Sequence, residues 1–529
     1  MTGLNRLMLA SCVLLAACGG GGSGGGNTGG TPTPTISTLN VTLSSTSTSA
    51  TVAEGAKTNV GFTASYTGTP SGAVVPDVQV NGSRIALAGA PTANGASAYD
   101  VKLTSADFLP GGQTANQVTF RLCTDSNCGT VYPGSTQTFT VNLTVNLKDW
   151  QTVQRDAAHT GYVAVKFATS AFGTAPLWNV PKDAFRPSAI AARAGTVYAN
   201  FIQQAVNGGR VTTRAIASDT GAVRWSYDLG QTGFNTSAPS YDNGRVVSAA
   251  VDLSSGSIPM PVLDAADGHP LKVLSYASQF AKGGAPVPFA DKLYHQAGYY
   301  GNVVYAFDPA AGTTDWVSDQ SRLGGVSEGE SVAVDAQYVY FYRADALIVL
   351  NRLSGALVSK IADPFFSREG LSYFGTYFGA PVLDGAGRIF TFSDNRSQNQ
   401  PAPLIAFALA QPTYLWRTNA SYINQPALRG GRLYAPRADS TFVDVIDAAT
   451  GSVVTSINVG TGKPNLTSNV IVTESHIFVG SDTETYAIDL NAAGNPVVWT
   501  AAQGGDLAIT PDNLLVIAGD NGLSAYRLN

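Results

Sequence analysis

The chain has 529 residues, of which 44% are hydrophobic and only 13% charged, with a formal net charge of −5. That length supports a large core and more than one domain, and the lack of any Lys/Arg run or basic face excludes nucleic acid as a partner. The 57 glycines and 27 prolines, with abundant Thr, Ser and Val, point to many short strands joined by turns.

Near the N-terminus Arg6 is followed by an apolar run of 11 residues, Leu7 to Ala17. A helix that spans a bilayer needs roughly 20 such residues, so residues 1–18 read as an export leader rather than an anchor. Leu15-Ala16-Ala17-Cys18 resembles the bacterial lipobox. The resemblance implies a lipid on Cys18 and a chain held at a membrane of the bacterial cell envelope, since two or more acyl chains anchor stably. Gly19, in place of the Asp that retains some lipoproteins at the inner membrane, implies the outer membrane, on its periplasmic or surface side. Residues 19–34 are Gly-rich, a flexible linker with a reach of roughly 20–25 Å.

Residues 35–148 alternate apolar and polar positions in short runs. Leu39, Val41 and Leu43 form one set, Val60, Phe62 and Ala64 another, and Phe139, Val141, Leu143, Val145 and Leu147 close the segment. A period of two predicts strands with one buried face, and a segment of this length predicts an immunoglobulin-like sandwich. Cys12 and Cys18 belong to the leader and lipobox, which leaves Cys123 and Cys128 as a pair. In an exported chain they predict a disulfide across a turn. A redox pair would favour C-x-x-C, and zinc would need further Cys or His nearby.

From residue 149 to 529 the sequence repeats. Ala215-Ile-Ala-Ser-Asp219-Thr220-Gly221-Ala-Val-Arg-Trp225 is the clearest unit, and the turn glycines Gly221, Gly268, Gly312 and Gly355 follow at intervals of 47, 44 and 43 residues. A fixed period of this size marks a solenoid or a propeller. Each unit holds four short strands and no helical period, which selects a β-propeller, with Asp and Gly at the tight turn between the two outer strands. Trp225, Trp316, Trp416 and Trp499 recur at one place in the unit, so packing between blades is expected of them. Seven units are complete. The C-terminal remainder from Leu507 has three strands, and the stretch at Trp178 supplies a fourth. Eight blades closed by both termini are expected, with seven as the alternative.

The Asp-x-x-Thr-Gly-x-x-x-Trp unit resembles the repeat of pyrroloquinoline-quinone (PQQ)-type propellers, and Trp150-Gln-x-x-x-Arg-Asp156-x-x-His159-Thr160-Gly161 resembles the motif that leads into their first blade. The resemblance implies the fold. It spans both quinoprotein dehydrogenases, which hold PQQ and Ca²⁺ on the axis, and a non-enzymatic lipoprotein scaffold of the outer-membrane assembly machine. This chain has no adjacent Cys-Cys pair and no dense acidic calcium loop, so a scaffold without cofactor, metal or catalytic residues is expected. A PQQ-dependent oxidoreductase and a carbohydrate-binding surface protein remain alternatives.

Other chemical signatures are weak. Gly325-Val-Ser327-Glu-Gly329 matches a nucleophile elbow, but that motif works between a strand and a helix. His159, His269, His295 and His476 are scattered, with no metal-binding spacing. One stretch departs from the repeat, between the fourth and fifth blades, where Arg368, Glu369, Tyr373, Phe374, Tyr377 and Phe378 combine rings with charge. Together with Arg396 in the following blade they are the candidate binding residues. The expected partners are a membrane, through the lipid, and an envelope protein, with the chain itself a monomer.

Overall fold

The computed structural model describes residues 35–182, 185–203, 209–232, 237–249, 256–279, 284–299, 303–318, 331–343, 345–366, 380–393 and 400–529. Among them the fold is all-β, with a single 3₁₀ turn at Thr169–Ala171. The first part is two facing sheets. One runs Asn40–Leu43, Asn59–Thr67, Ala98–Ser105, Ile85–Leu87, and the other Ser47–Ala53, Gln137–Asn146, Gly112–Cys123, Val75–Val80. Inward positions recur at every second residue, as in Val118, Phe120 and Leu122, so one face of each sheet is dry. Phe62 meets Phe139 at 4.4 Å between ring centroids and Phe120 at 6.2 Å. Burying each such ring stabilises by about 1.5–3 kcal/mol. Cys123 and Cys128 form a disulfide, Cα to Cα 5.0 Å, where the strand ending at Cys123 turns.

The rest of the described chain forms five four-stranded sheets, a five-stranded sheet in which Tyr162–Val163 joins a sixth set of four in parallel, and an eight-stranded sheet. In the last, two antiparallel sets of four meet through a parallel pairing of Pro270–Gln279 with Lys292–Tyr299. Each antiparallel set of four is a blade. Blade 1 is Arg186–Arg193, Thr196–Gln203, Gly209–Ala217 and Val223–Thr232, and the strands of blades 2 to 7 begin at Ser240, Val287, Ala333, Val382, Ala427 and Ile471, with blade 7 ending at Val497–Ala501. Blade 8 joins the two ends of the ring. Asp506–Ile509, Leu514–Gly519 and Gly522–Arg527 come from the C-terminus, and the outermost strand is Trp178–Pro181. Trp178 stands opposite Ala525 and Pro181 opposite Gly522, so no sheet edge is left open between the termini.

The repeated Trp and Gly explain why the period must be kept. The turn glycines adopt positive φ, +72° at Gly221 and +78° at Gly268, which a side chain resists. Each indole lies on the turn of the next blade. Trp178 covers Gly221, Trp225 covers Gly268, Trp316 covers Gly355 and Trp416 covers Gly451. Their Nε1–H groups donate to the carbonyls of Ser218, Ala265, Arg352 and Ala448, each three residues before the glycine that is covered. Trp499 donates to Gly173 at 2.9 Å, beside blade 8. In blade 2 Lys272 holds the equivalent place, with its stem over Gly312.

Candidate interaction face

Residues 150–163, which contain the lead-in motif Trp150 to Gly161, visit the innermost strands of the ring in order. Trp150 exchanges two backbone hydrogen bonds with Ala192 of blade 1, and the Tyr241 N–H of blade 2 donates to Gln151. Thr152 donates through Oγ1 to Pro286, just before blade 3. Val334, Leu383, Leu428 and Val472, in blades 4 to 7, donate to Ala157, Ala158, Thr160 and Gly161. Blade 8 is reached through Asn469, whose amide bonds Gln154 and both the N–H and C=O of Leu507. His159 is fully buried with its ring between the carbonyls of Val153 and Val332, each 2.8 Å away. Burial lowers its pKa. The residue is a bracket between the axial segment and blade 4.

These contacts fall where the innermost strands turn into the second strands, so the axial segment fills the hub at that end. The two-sheet domain takes up part of the same end. Gly111 and Asn513 exchange two hydrogen bonds of 2.8 and 3.0 Å, and Phe108 accepts from the Lys166 N–H at 2.7 Å. Glu54 reaches the axial segment as a buried ion pair with Arg155. Burial opposes the charge on Glu54, but Arg155 and the N–H groups of Lys148 and Ala164 outweigh it and hold the carboxyl below its ordinary range.

The opposite end of the ring carries the turns between second and third strands and the connections between blades. Here a cleft of about 390 Å³ opens where blades 7, 8 and 1 meet, lined by Arg186, Ser188, Thr467, Asp482, Asp506 and Asp520 among others. Arg186 pairs with Asp520 at 3.0 Å, and Thr467 donates to Asp482 at 2.6 Å. Burial raises the pKa of Asp506. Sequence reading did not find this cleft, because its walls come from positions up to 334 residues apart that share no motif.

Arg368, Glu369, Tyr373, Phe374, Tyr377, Phe378 and Arg396 lie outside the described residues, as do Cys18 and Ser327. What the fold does give is where their flanking strands end. Leu357–Ala362 ends, and Val382–Leu383 begins, at the end away from the axial segment, and the same holds for Arg388–Phe392 and Ala402–Ala408 around Arg396.

A calcium-bearing quinone on the axis would need several oxygen ligands converging there. Among the described residues, groups of three metal-ligating side chains occur only at Asp264, Asp267 and His269, on an exposed turn of blade 2, and at Asp77 beside the disulfide. Neither lies at the hub, where Gln154, Thr152 and Asn469 are bonded to the chain itself.

The fold is a β-propeller preceded by a two-sheet domain. Residues 205–457 match the family described as outer membrane protein assembly factor BamB. A search of curated proteins returns no match. Among solved structures, Kluyvelomyces marxianus Hsv2 is similar at 7% identity and a TM-score of 0.39, covering 60% of this chain and 98% of its own. The dihydro-heme d1 dehydrogenase NirN in complex with DHE is similar at 12% identity and a TM-score of 0.40, covering 69% of this chain and 82% of its own.

Proposed function

We propose that the chain is a lipid-anchored scaffold of the bacterial cell envelope, tethered through Cys18, and that its propeller offers the end away from the axial segment to a protein that assembles the outer membrane. One observation supports this above the others. The axial segment commits its polar groups to the innermost strands of the ring, which leaves a filled and rigid hub. A rigid frame that displays loops is suited to recognition by surface rather than to chemistry at the axis. The match of residues 205–457 to an outer-membrane assembly factor supports the choice of partner.

The test is capture of the full-length, lipid-bearing protein from cross-linked cells. The reading expects an outer-membrane assembly protein to be recovered, and the recovery to be lost when Cys18→Ser removes the tether. Recovery of no envelope protein, together with a melting shift on adding PQQ and Ca²⁺, would move the assignment to an oxidoreductase.

A further inference from the structure

The strand that closes the ring is short. Trp178–Pro181 pairs over four residues with Gly522–Ala525, and this is the sheet contact that joins the two ends of the propeller. A strand of this length adds little on its own. The packing beneath the seam is broader. A single hydrophobic cluster contains Val52, Leu109, Leu143, Val145 and Leu147 of the two-sheet domain with Trp150 and Val163 of the axial segment, Ile190 of blade 1, and Leu515 and Leu523 of blade 8. This cluster crosses residue 148, while Phe62, Phe120 and Phe139 belong to a second cluster within the two-sheet domain alone.

Polar contacts follow the same route. Asn513, in the first turn of blade 8 at φ +59°, is held by Gly111 of the two-sheet domain. Its neighbour Asp512 accepts from the Gly195 N–H and the Ser218 hydroxyl of blade 1, both at 2.7 Å. A continuous chain of bonds thus runs from the two-sheet domain through blade 8 to blade 1, across the seam. Nearby, Gln154 and Arg155 hold positive φ, +51° and +83°, an arrangement that persists only when the surroundings fix it. Glu54 does the fixing, by pairing with Arg155 and accepting from Ala164 at 2.8 Å and Lys148 at 2.9 Å.

We infer that residues 35–148 are the lock of the propeller rather than a spacer before it: the two-sheet domain holds the axial segment and blade 8 in place, and the ring stays closed because it is docked. Opening of the seam and release of the domain are then one event.

Hydrogen exchange on the full chain tests this. Glu54→Ala removes the grip on the axial segment, Asn513→Ala cuts the bonds to Gly111, and Gly111→Ala wedges the contact, since an added Cβ would meet the Pro511 carbonyl at 2.7 Å. The expected result is at least tenfold faster exchange at Trp178–Pro181 and Gly522–Arg527, with the strands of blades 3 to 5 unchanged. Should Glu54→Ala fail to accumulate, Asn513→Ala carries the same test, because it leaves the buried ion pair intact. Faster exchange confined to residues 35–148, with the seam amides at their parental rate, would overturn the inference. So would two separate thermal transitions for the two parts of the parent protein.

Discussion

Trp225 of blade 1 lies against Gly268 of blade 2 and donates its indole N–H to the Ala265 carbonyl at 3.2 Å. A Cβ at Gly268 would stand 2.5 Å from the indole, at a backbone φ of +78°. Gly268→Ala is therefore expected to destabilise by about 2–4 kcal/mol, from overpacking plus backbone strain. Gly494 has the same φ with open space around it, so Gly494→Ala is expected to cost only about 1 kcal/mol. Urea unfolding of the two variants separates the roles of contact and conformation, and equal losses would show that the indole contact contributes nothing.

His295 is fully buried in blade 3, packed edge-on against Tyr276, and among the described residues neither ring nitrogen has a hydrogen-bond partner. Burial lowers its pKa to about 3. The unfolded chain takes up a proton near pH 6.5 that the folded chain refuses. Stability contributed by this site thus falls as pH drops from about 6.5 toward 3, by up to about 1.4 kcal/mol per unit. Asp149 works in the opposite sense, since burial raises its pKa to about 6. The slope is accordingly read as the difference between parent and His295→Leu. The variant is expected to lose less stability than the parent between pH 6.5 and 4, and parallel pH profiles would contradict this.

The disulfide closes a loop of five residues' separation. In the loop-entropy account such a short cross-link stabilises by about 2 kcal/mol. Replacing both cysteines by Ser is expected to lower the unfolding free energy by that amount, and the protein should still fold around Phe62, Phe120 and Phe139. Collapse of the whole domain on reduction would show that the cross-link, not the ring cluster, organises it.

Much of this architecture was legible in the residues, for a physical reason. A propeller repeats one packing problem, so the Trp and Gly that solve it recur in the sequence at a fixed interval. The strand at Trp178 could be assigned to the last blade because that blade lacked a strand and open edges are costly. Glu54 could not be read in this way. It follows an ordinary strand, and its importance arises from Arg155, 101 residues later, with which it meets only in the folded state. The same holds for Asn513 and Gly111, which are 402 residues apart. The shared core across residue 148 was hidden as well, because an alternating strand reads alike whether it packs on its own domain or on its neighbour.

On the function proposed above, partners engage one end of the ring. Photo-cross-linking side chains placed singly at Asp439 and Asp482, exposed on the end away from the axial segment, and at Asn243 and Ala386, exposed on the axial-segment end, test it directly in intact cells. The account predicts adducts with an envelope protein from the first pair and none from the second. Adducts from Asn243 or Ala386 alone would contradict it.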